Sequence, residues 1–109
     1  MNSAADTDIY AEKTRRKILD FMKNEDVCVY LFGSRVKGTQ RLTSDIDVAV
    51  CYKGEPNRVK IAELRELFED AAIPYVMDIV DMSFAAKNIC DEIRRDAVIW
   101  RAQTNAWQL

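Results

Sequence analysis

The sequence predicts an α/β (α+β) fold, a small mixed sheet with helices packed mainly on one face. Short apolar, β-branched runs alternate with amphipathic segments of helical period along the chain, and this alternation is typical of a sheet covered by helices. The length of 109 residues suits one domain with one core. We therefore expect a single domain over 1–109, with its core at about 8–100 and a polar tail at 101–109.

The first half of the chain predicts one helix and two strands. Apolar residues recur among charges at helical intervals from about Asp8 to Lys23, and Asp6, Thr7 or Asp8 is available as the N-cap. Val27 to Phe32 is a continuous apolar run that ends at a glycine, which is typical of a strand buried on both faces. A second strand is expected from Ile46 to Cys51.

The second half predicts a helix, a strand, a helix and a short edge strand. A helical stripe of apolar residues covers Val59 to Ala72, and Pro74 separates it from a strand at Tyr75 to Val80. Ser83 is the expected cap of a helix that runs to about Arg95, with Phe84 and Ala86 among its inward-facing residues. Val98 to Trp100 follows as an edge strand. Because a helix joins the second and third strands, these strands should run parallel.

Composition excludes several classes of protein. The chain has no histidine, so catalytic triads and histidine-containing zinc sites are ruled out. A net charge of −2 argues against a domain that binds nucleic acid chiefly through phosphates. Three scattered cysteines suggest buried thiols in a reducing compartment. The polar, acidic first residues and the lack of a long apolar run predict neither a signal peptide nor a membrane span, so we expect a cytoplasmic protein.

Two aspartates at the start of the second predicted strand indicate a metal site. Side chains alternate along a strand, so Asp45 and Asp47 project to the same side, about 7 Å apart. Paired carboxylates repel each other unless a cation or a proton lies between them, and a hard divalent ion such as Mg²⁺ is the ordinary solution at neutral pH. A solvated strand edge is the alternative for this pair.

A third acid and a turn extend this candidate site. Asp78 interrupts an apolar strand and joins the pair if the third strand lies beside the second, which gives the three-carboxylate arrangement of in-line phosphoryl or nucleotidyl transfer. Its rival, Asp81, falls on the opposite face and suits a helix cap. Gly33 permits a sharp turn, after which backbone amides and the Ser34 hydroxyl can donate to phosphate oxygens. Ser34 could equally be a simple turn residue.

The spacing Gly33-Ser34, ten residues, then Asp45-x-Asp47 resembles the minimal nucleotidyltransferase domains of the DNA polymerase β-like superfamily. The resemblance implies that Gly33 and Ser34 hold the triphosphate of ATP and that Asp45 and Asp47 coordinate two Mg²⁺ ions. Asp78 matches the third acid, which completes the catalytic and metal-binding set and helps to activate the acceptor hydroxyl. The Gly-Ser-Arg opening is also similar, which adds Arg35 to the nucleotide-binding residues, although an exposed arginine is often merely solvated.

A free-standing domain of this size resembles the MNT antitoxins, which are encoded beside HEPN-domain ribonuclease toxins. The resemblance implies an enzyme that transfers AMP from ATP to a hydroxyl of the toxin, with tyrosine as the expected acceptor. Two alternatives stay open: neutralisation of the toxin by binding alone, and nucleotidyl transfer to a small molecule. Neither a membrane nor direct nucleic-acid binding is expected, and homo-oligomers and hetero-oligomers with the toxin both stay open.

Overall fold

The computed structural model describes residues 3–33, 46–69 and 76–102. Within these ranges the elements follow the predicted order. They are α1 (Ser3–Phe21), β1 (Val27–Phe32), β2 (Ile46–Tyr52), α2 (Arg58–Glu69), β3 (Met77–Asp81), α3 (Lys87–Asp96) and β4 (Val98–Arg101). None of the helices in these ranges is long and apolar enough to cross a membrane.

The four strands form one mixed sheet in the order β3-β2-β1-β4. The central strands β1 and β2 pair antiparallel, and β4 pairs antiparallel with β1. β2 and β3 pair parallel, with Ile46 opposite Met77 and Val50 opposite Asp81. The predicted mixed sheet and the predicted parallel pairing of β2 and β3 are thus confirmed. α2 lies between these two strands in the chain and supplies the long crossover that a parallel pair needs.

Both faces of the sheet are covered, but two of the three described helices lie on one face. The larger cluster joins β-strand side chains such as Val29 and Val48 to Ile18 of α1, to Met22 just after α1 and to Leu64 of α2. On the opposite face, Cys90 and Ile93 of α3 pack on side chains of β1 and β2. Both central strands are therefore buried on two sides, which explains the uninterrupted apolar run of β1.

A polar cluster fixes the start of α2 against the sheet. The Asn57 side chain caps the helix by accepting a hydrogen bond from the Lys60 amide at 3.0 Å, as an N-cap residue does. The Glu25 carboxylate accepts hydrogen bonds from the Tyr52 hydroxyl at 2.9 Å and from the side-chain Nδ2 of Asn57 at 3.3 Å. The end of β2 and the first turn of α2 thereby share one acceptor.

Two predicted helix starts are wrong. α1 begins at Ser3, so its expected caps lie inside the helix. α3 begins at Lys87 with Ala86 as its N-cap, because a tight turn at Asp81 to Phe84 comes first: the Phe84 amide donates to the Asp81 carbonyl at 3.0 Å. Phe84 is 55% exposed and lies under the Arg58 guanidinium, 4.3 Å from the ring centroid, rather than facing inward. Ala86 is exposed as well.

The three cysteines are free thiols, and two of them are buried. Cys28 and Cys90 pack in the cluster under α3, which confirms their expected role as small apolar side chains. Cys51 is half-buried, and burial raises the pKa of its thiol.

Candidate active site

The structure places two of the predicted acids side by side. Asp47 and Asp78 are each the second residue of their strand, and they are directly opposite each other in the parallel β2–β3 register. Residues paired across neighbouring strands project to the same face, and the strands are about 4.8 Å apart. The structure therefore brings both carboxylates to one face of the sheet, at the end where β1 finishes.

Gly33 comes directly after β1 and lies close to the Asp47 side chain. It follows Phe32, which pairs with Asp47 across β1 and β2, and it has a φ of 85°, a conformation that residues with a Cβ rarely adopt. A Cβ at this position would collide with the Asp47 carboxylate and lie 3.0 Å from its Cγ. Gly33 is thus needed both for its backbone torsion and for the space that the Asp47 carboxylate occupies.

Asp81, the alternative third acid, has a different environment. It is 8% exposed, and its carboxylate accepts a hydrogen bond from the Ser83 amide at 2.9 Å. Asp81 comes three positions after Asp78, and an odd spacing puts the two side chains on opposite faces of β3. Asp81 holds the turn before α3, whereas Asp78 is exposed beside Asp47.

The remaining predicted site residues, Asp45, Ser34 and Arg35, lie outside the described residues, and their roles stay predictions. Among the residues that the structure does describe, no group of three potential ligands forms a metal cluster. Asp47 and Asp78 nevertheless supply carboxylate oxygens on one face, the donor type that Mg²⁺ prefers. The described part of the site thus fits a magnesium site that Asp45 would complete.

A cavity beside Asp78 was not predicted from the sequence. It has a volume of about 310 Å³ and is lined by Asp78 and its β3 neighbours together with side chains of α2, including Phe68 and Arg65. The sequence pattern marks Phe68 as a core residue and Arg65 as a solvated one. Nothing in the spacing marks either residue as part of a cavity, because the cavity arises where α2 packs against the edge of β3.

Comparisons with known proteins show which proteins this chain is similar to. The family described as "Polymerase beta, Nucleotidyltransferase" matches residues 16–105. The chain is 30% identical over 101 residues to the probable protein adenylyltransferase MntA of Haemophilus influenzae, covering 91% of this chain and 88% of that protein. It is 34% identical over 65 residues to the protein adenylyltransferase MntA of Shewanella oneidensis, covering 60% of this chain and 46% of that protein.

A solved structure shares the fold. A crystal structure of a toxin-antitoxin with AMP-PNP superposes with a TM-score of 0.66 at 26% identity, covering 83% of this chain and 74% of that chain. The family match includes β1, Gly33, both strands with the paired acids, and β4. The chain belongs to the polymerase beta nucleotidyltransferase family.

Proposed function

We propose that this protein is an Mg²⁺-dependent protein adenylyltransferase that transfers AMP from ATP to a tyrosine hydroxyl of a HEPN-domain toxin and so acts as an antitoxin. The observation that carries the proposal is the in-register pair of Asp47 and Asp78 beside the Gly33 turn. The names of the two MntA relatives support a protein acceptor. The likeness to a toxin-antitoxin structure with AMP-PNP supports an adenine nucleotide.

In the proposed reaction the acceptor oxygen attacks the α-phosphorus of ATP. The bond from the α-phosphorus to the oxygen that bridges to the β-phosphate breaks, and pyrophosphate leaves. The acceptor proton passes to the Asp78 carboxylate and then to water. This carboxylate is accessible, and without histidine in the chain a carboxylate is the natural proton acceptor.

Each part of the site has a separate task in this scheme. Gly33, with Ser34 and Arg35, would hold the triphosphate, since a glycine lets phosphate approach the backbone closely. Asp47, together with Asp45 and Asp78, would hold Mg²⁺. When bound, the metal neutralises charge on the phosphates and orients them for in-line displacement.

A labelling experiment tests the proposal. ATP labelled on its α-phosphate, Mg²⁺ and a HEPN-domain toxin, the proposed partner, should give a labelled toxin and free pyrophosphate. Replacing both acids of the Asp-x-Asp pair, Asp45→Asn with Asp47→Asn, should abolish the label. Asp20→Asn, at an exposed position of α1, is the matched control and should label as the unsubstituted protein does.

The same experiment separates transfer from neutralisation by binding. If the double variant still binds the toxin and inhibits its ribonuclease activity without ATP, then binding alone is the antitoxin function. Undiminished labelling by the double variant would refute the assignment of the metal-binding acids.

A further inference from the structure

A second cavity, at the outer edge of β3, carries two arginines. It has a volume of about 320 Å³ and is lined by Arg58 and Arg65 of α2, by residues 79–81 of β3 and by Phe84 of the following turn. It neighbours the cavity beside Asp78, since Arg65 lines both. Cationic side chains and an aromatic ring thus meet at one edge of the sheet.

Both arginines keep hydrogen-bonding capacity. Arg65 Nη2 donates to the Ile79 carbonyl at 2.9 Å, and the Arg58 guanidinium lies 4.3 Å from the centroid of the Phe84 ring. A guanidinium has five N–H donors in a planar fork, so neither contact uses them all. Every ion pair between described residues lies on α1 or α3. In this part of the chain, therefore, neither Arg58 nor Arg65 has a carboxylate within 4.0 Å.

The acid that lines the same cavity does not cancel this charge at the surface. Asp81 is buried, and its carboxylate accepts a hydrogen bond from the Ser83 amide at 2.9 Å. Arg58 and Arg65 are both exposed. The cavity therefore presents a local positive charge on a protein whose net charge is −2.

The β3 edge at this cavity does not favour pairing with an added strand. The Ile79 carbonyl already accepts a hydrogen bond from Arg65, and the Asp81 carbonyl accepts one from the Phe84 amide at 3.0 Å. An added strand would find both of these acceptors in use, although main-chain hydrogen bonds are what hold such a strand. A partner therefore binds this edge through its side chains.

Resting on the proposed function, we propose that this cavity is a docking site for an acidic segment of the protein that receives AMP, with one carboxylate of the segment on each arginine. A guanidinium fork binds a carboxylate through two parallel hydrogen bonds. Arg58 and Arg65 are seven positions apart on α2, so their Cα atoms are about 10 Å apart. This separation suits two acidic side chains of one segment rather than one small anion.

The docking site lies apart from the candidate active site. The helix that carries Arg58 and Arg65 packs on the face of the larger core cluster. Asp78 projects to the opposite face, because Val80, two residues after it, packs in the cluster under α3. Asp81 is about 10 Å along the strand from Asp78. A bound segment thus leaves the catalytic acids free and holds the acceptor protein near them, which raises its effective concentration.

Binding of a HEPN-domain toxin without ATP, measured by biolayer interferometry, tests the docking site. Arg58→Gln removes one charge and should raise the Kd for the toxin about tenfold. Arg58→Lys keeps the charge without the fork, so the rise should be smaller, about threefold. Arg16→Gln is the matched control, because Arg16 is exposed on α1 and does not line the cavity, and it should leave the Kd unchanged. Thermal unfolding of all three variants should match that of the unsubstituted protein.

A salt series and steady-state kinetics separate a charged contact from a structural role. Raising the ionic strength from about 0.05 M to about 0.3 M should weaken toxin binding less in Arg58→Gln than in the unsubstituted protein, because a screened charge pair is already lost. The KM for the toxin should rise with the Kd. The kcat and the affinity for ATP should stay unchanged, since the lost contact contributes equally before and during the chemical step.

Three results would overturn the docking site while the proposed function stands. They are equal Kd values for Arg58→Gln and Arg16→Gln, a salt dependence that Arg58→Gln leaves unchanged, and a loss of ATP affinity in Arg58→Gln, which would assign the arginine to phosphate binding. Toxin binding without any AMP transfer by the unsubstituted protein would instead refute the proposed function.

Discussion

Replacing Gly33 by alanine tests how the end of β1 positions Asp47. The φ of 85° costs a residue with a Cβ about 1–2 kcal/mol, and contact between the new methyl group and the Asp47 carboxylate adds about 1 kcal/mol of overpacking. We therefore expect Gly33→Ala to lower the free energy of unfolding by about 2–3 kcal/mol. For a domain of this size the melting temperature would fall by roughly 10 °C.

The effect on activity should exceed the effect on stability. The methyl group must displace the Asp47 carboxylate, and a shift of about 1 Å at a reacting centre costs about 100-fold in rate. Circular dichroism gives the melting temperature, and AMP transfer measured well below it gives the rate. Gly54→Ala is the matched control, because a Cβ at Gly54 has no neighbour within 4 Å, and it should change neither quantity.

A double-mutant cycle separates torsional strain from the steric contact. In an Asp47→Ala background the carboxylate is gone, so Gly33→Ala should cost about 1 kcal/mol less than in the unsubstituted protein. An equal cost in both backgrounds would refute the steric argument. Activity in Gly33→Ala equal to that of Gly54→Ala would refute the positioning of Asp47 altogether.

Three further substitutions address the frame around the site. Asp81→Ala should lower stability by about 1 kcal/mol in urea unfolding while transfer persists, because the Asp81 carboxylate holds the Ser83 amide; loss of transfer without loss of stability would contradict this. Burial raises the pKa of Tyr52, and its hydrogen bond to Glu25 raises it further. Tyr52 therefore loses its proton at a lower pH in the unfolded chain than in the folded protein, and stability should fall as the pH rises above about 10. Urea unfolding at pH 8 and pH 10.5 should show a smaller fall for Tyr52→Phe, and an unchanged fall would argue against the assignment. Arg65→Ala uncovers a β3 edge carbonyl and should increase self-association in light scattering, whereas a strictly monomeric variant would show that the edge is protected in another way.

The sequence predicted those elements whose burial leaves a simple pattern. β1 was predicted at its observed bounds because Val27 to Phe32 is buried on both faces, which requires an unbroken apolar run. The adjacency of Asp47 and Asp78 followed from the parallel crossover. The start of α3 was predicted too early, because the sequence pattern indicates Ser83 as a helix cap. In the structure the Asp81 side chain and carbonyl accept hydrogen bonds that form a turn there, and such local hydrogen bonds compete with the helix.

Features that depend on close approach in space were not predictable. The contact that a Cβ at Gly33 would make with Asp47 depends on the backbone torsion at the end of β1. A glycine in the sequence indicates only that the backbone can adopt unusual torsions, and it does not show which side chain lies nearby. The cavity beside Asp78 depends on how α2 packs against β3. Its arginine and phenylalanine look in sequence like the outer and inner faces of any amphipathic helix.

The parallel register of β2 and β3 couples folding accuracy to catalysis. Pairing of Asp47 with Asp78 and burial of Ile79 are set by the same alignment. A slip of β3 by one residue would turn Asp78 toward the large core cluster and Ile79 toward the face that carries Asp47, because every side chain would change face. A chain misaligned by one residue would therefore lose its acidic pair and its core together, so this slip could not give a stable but inactive protein.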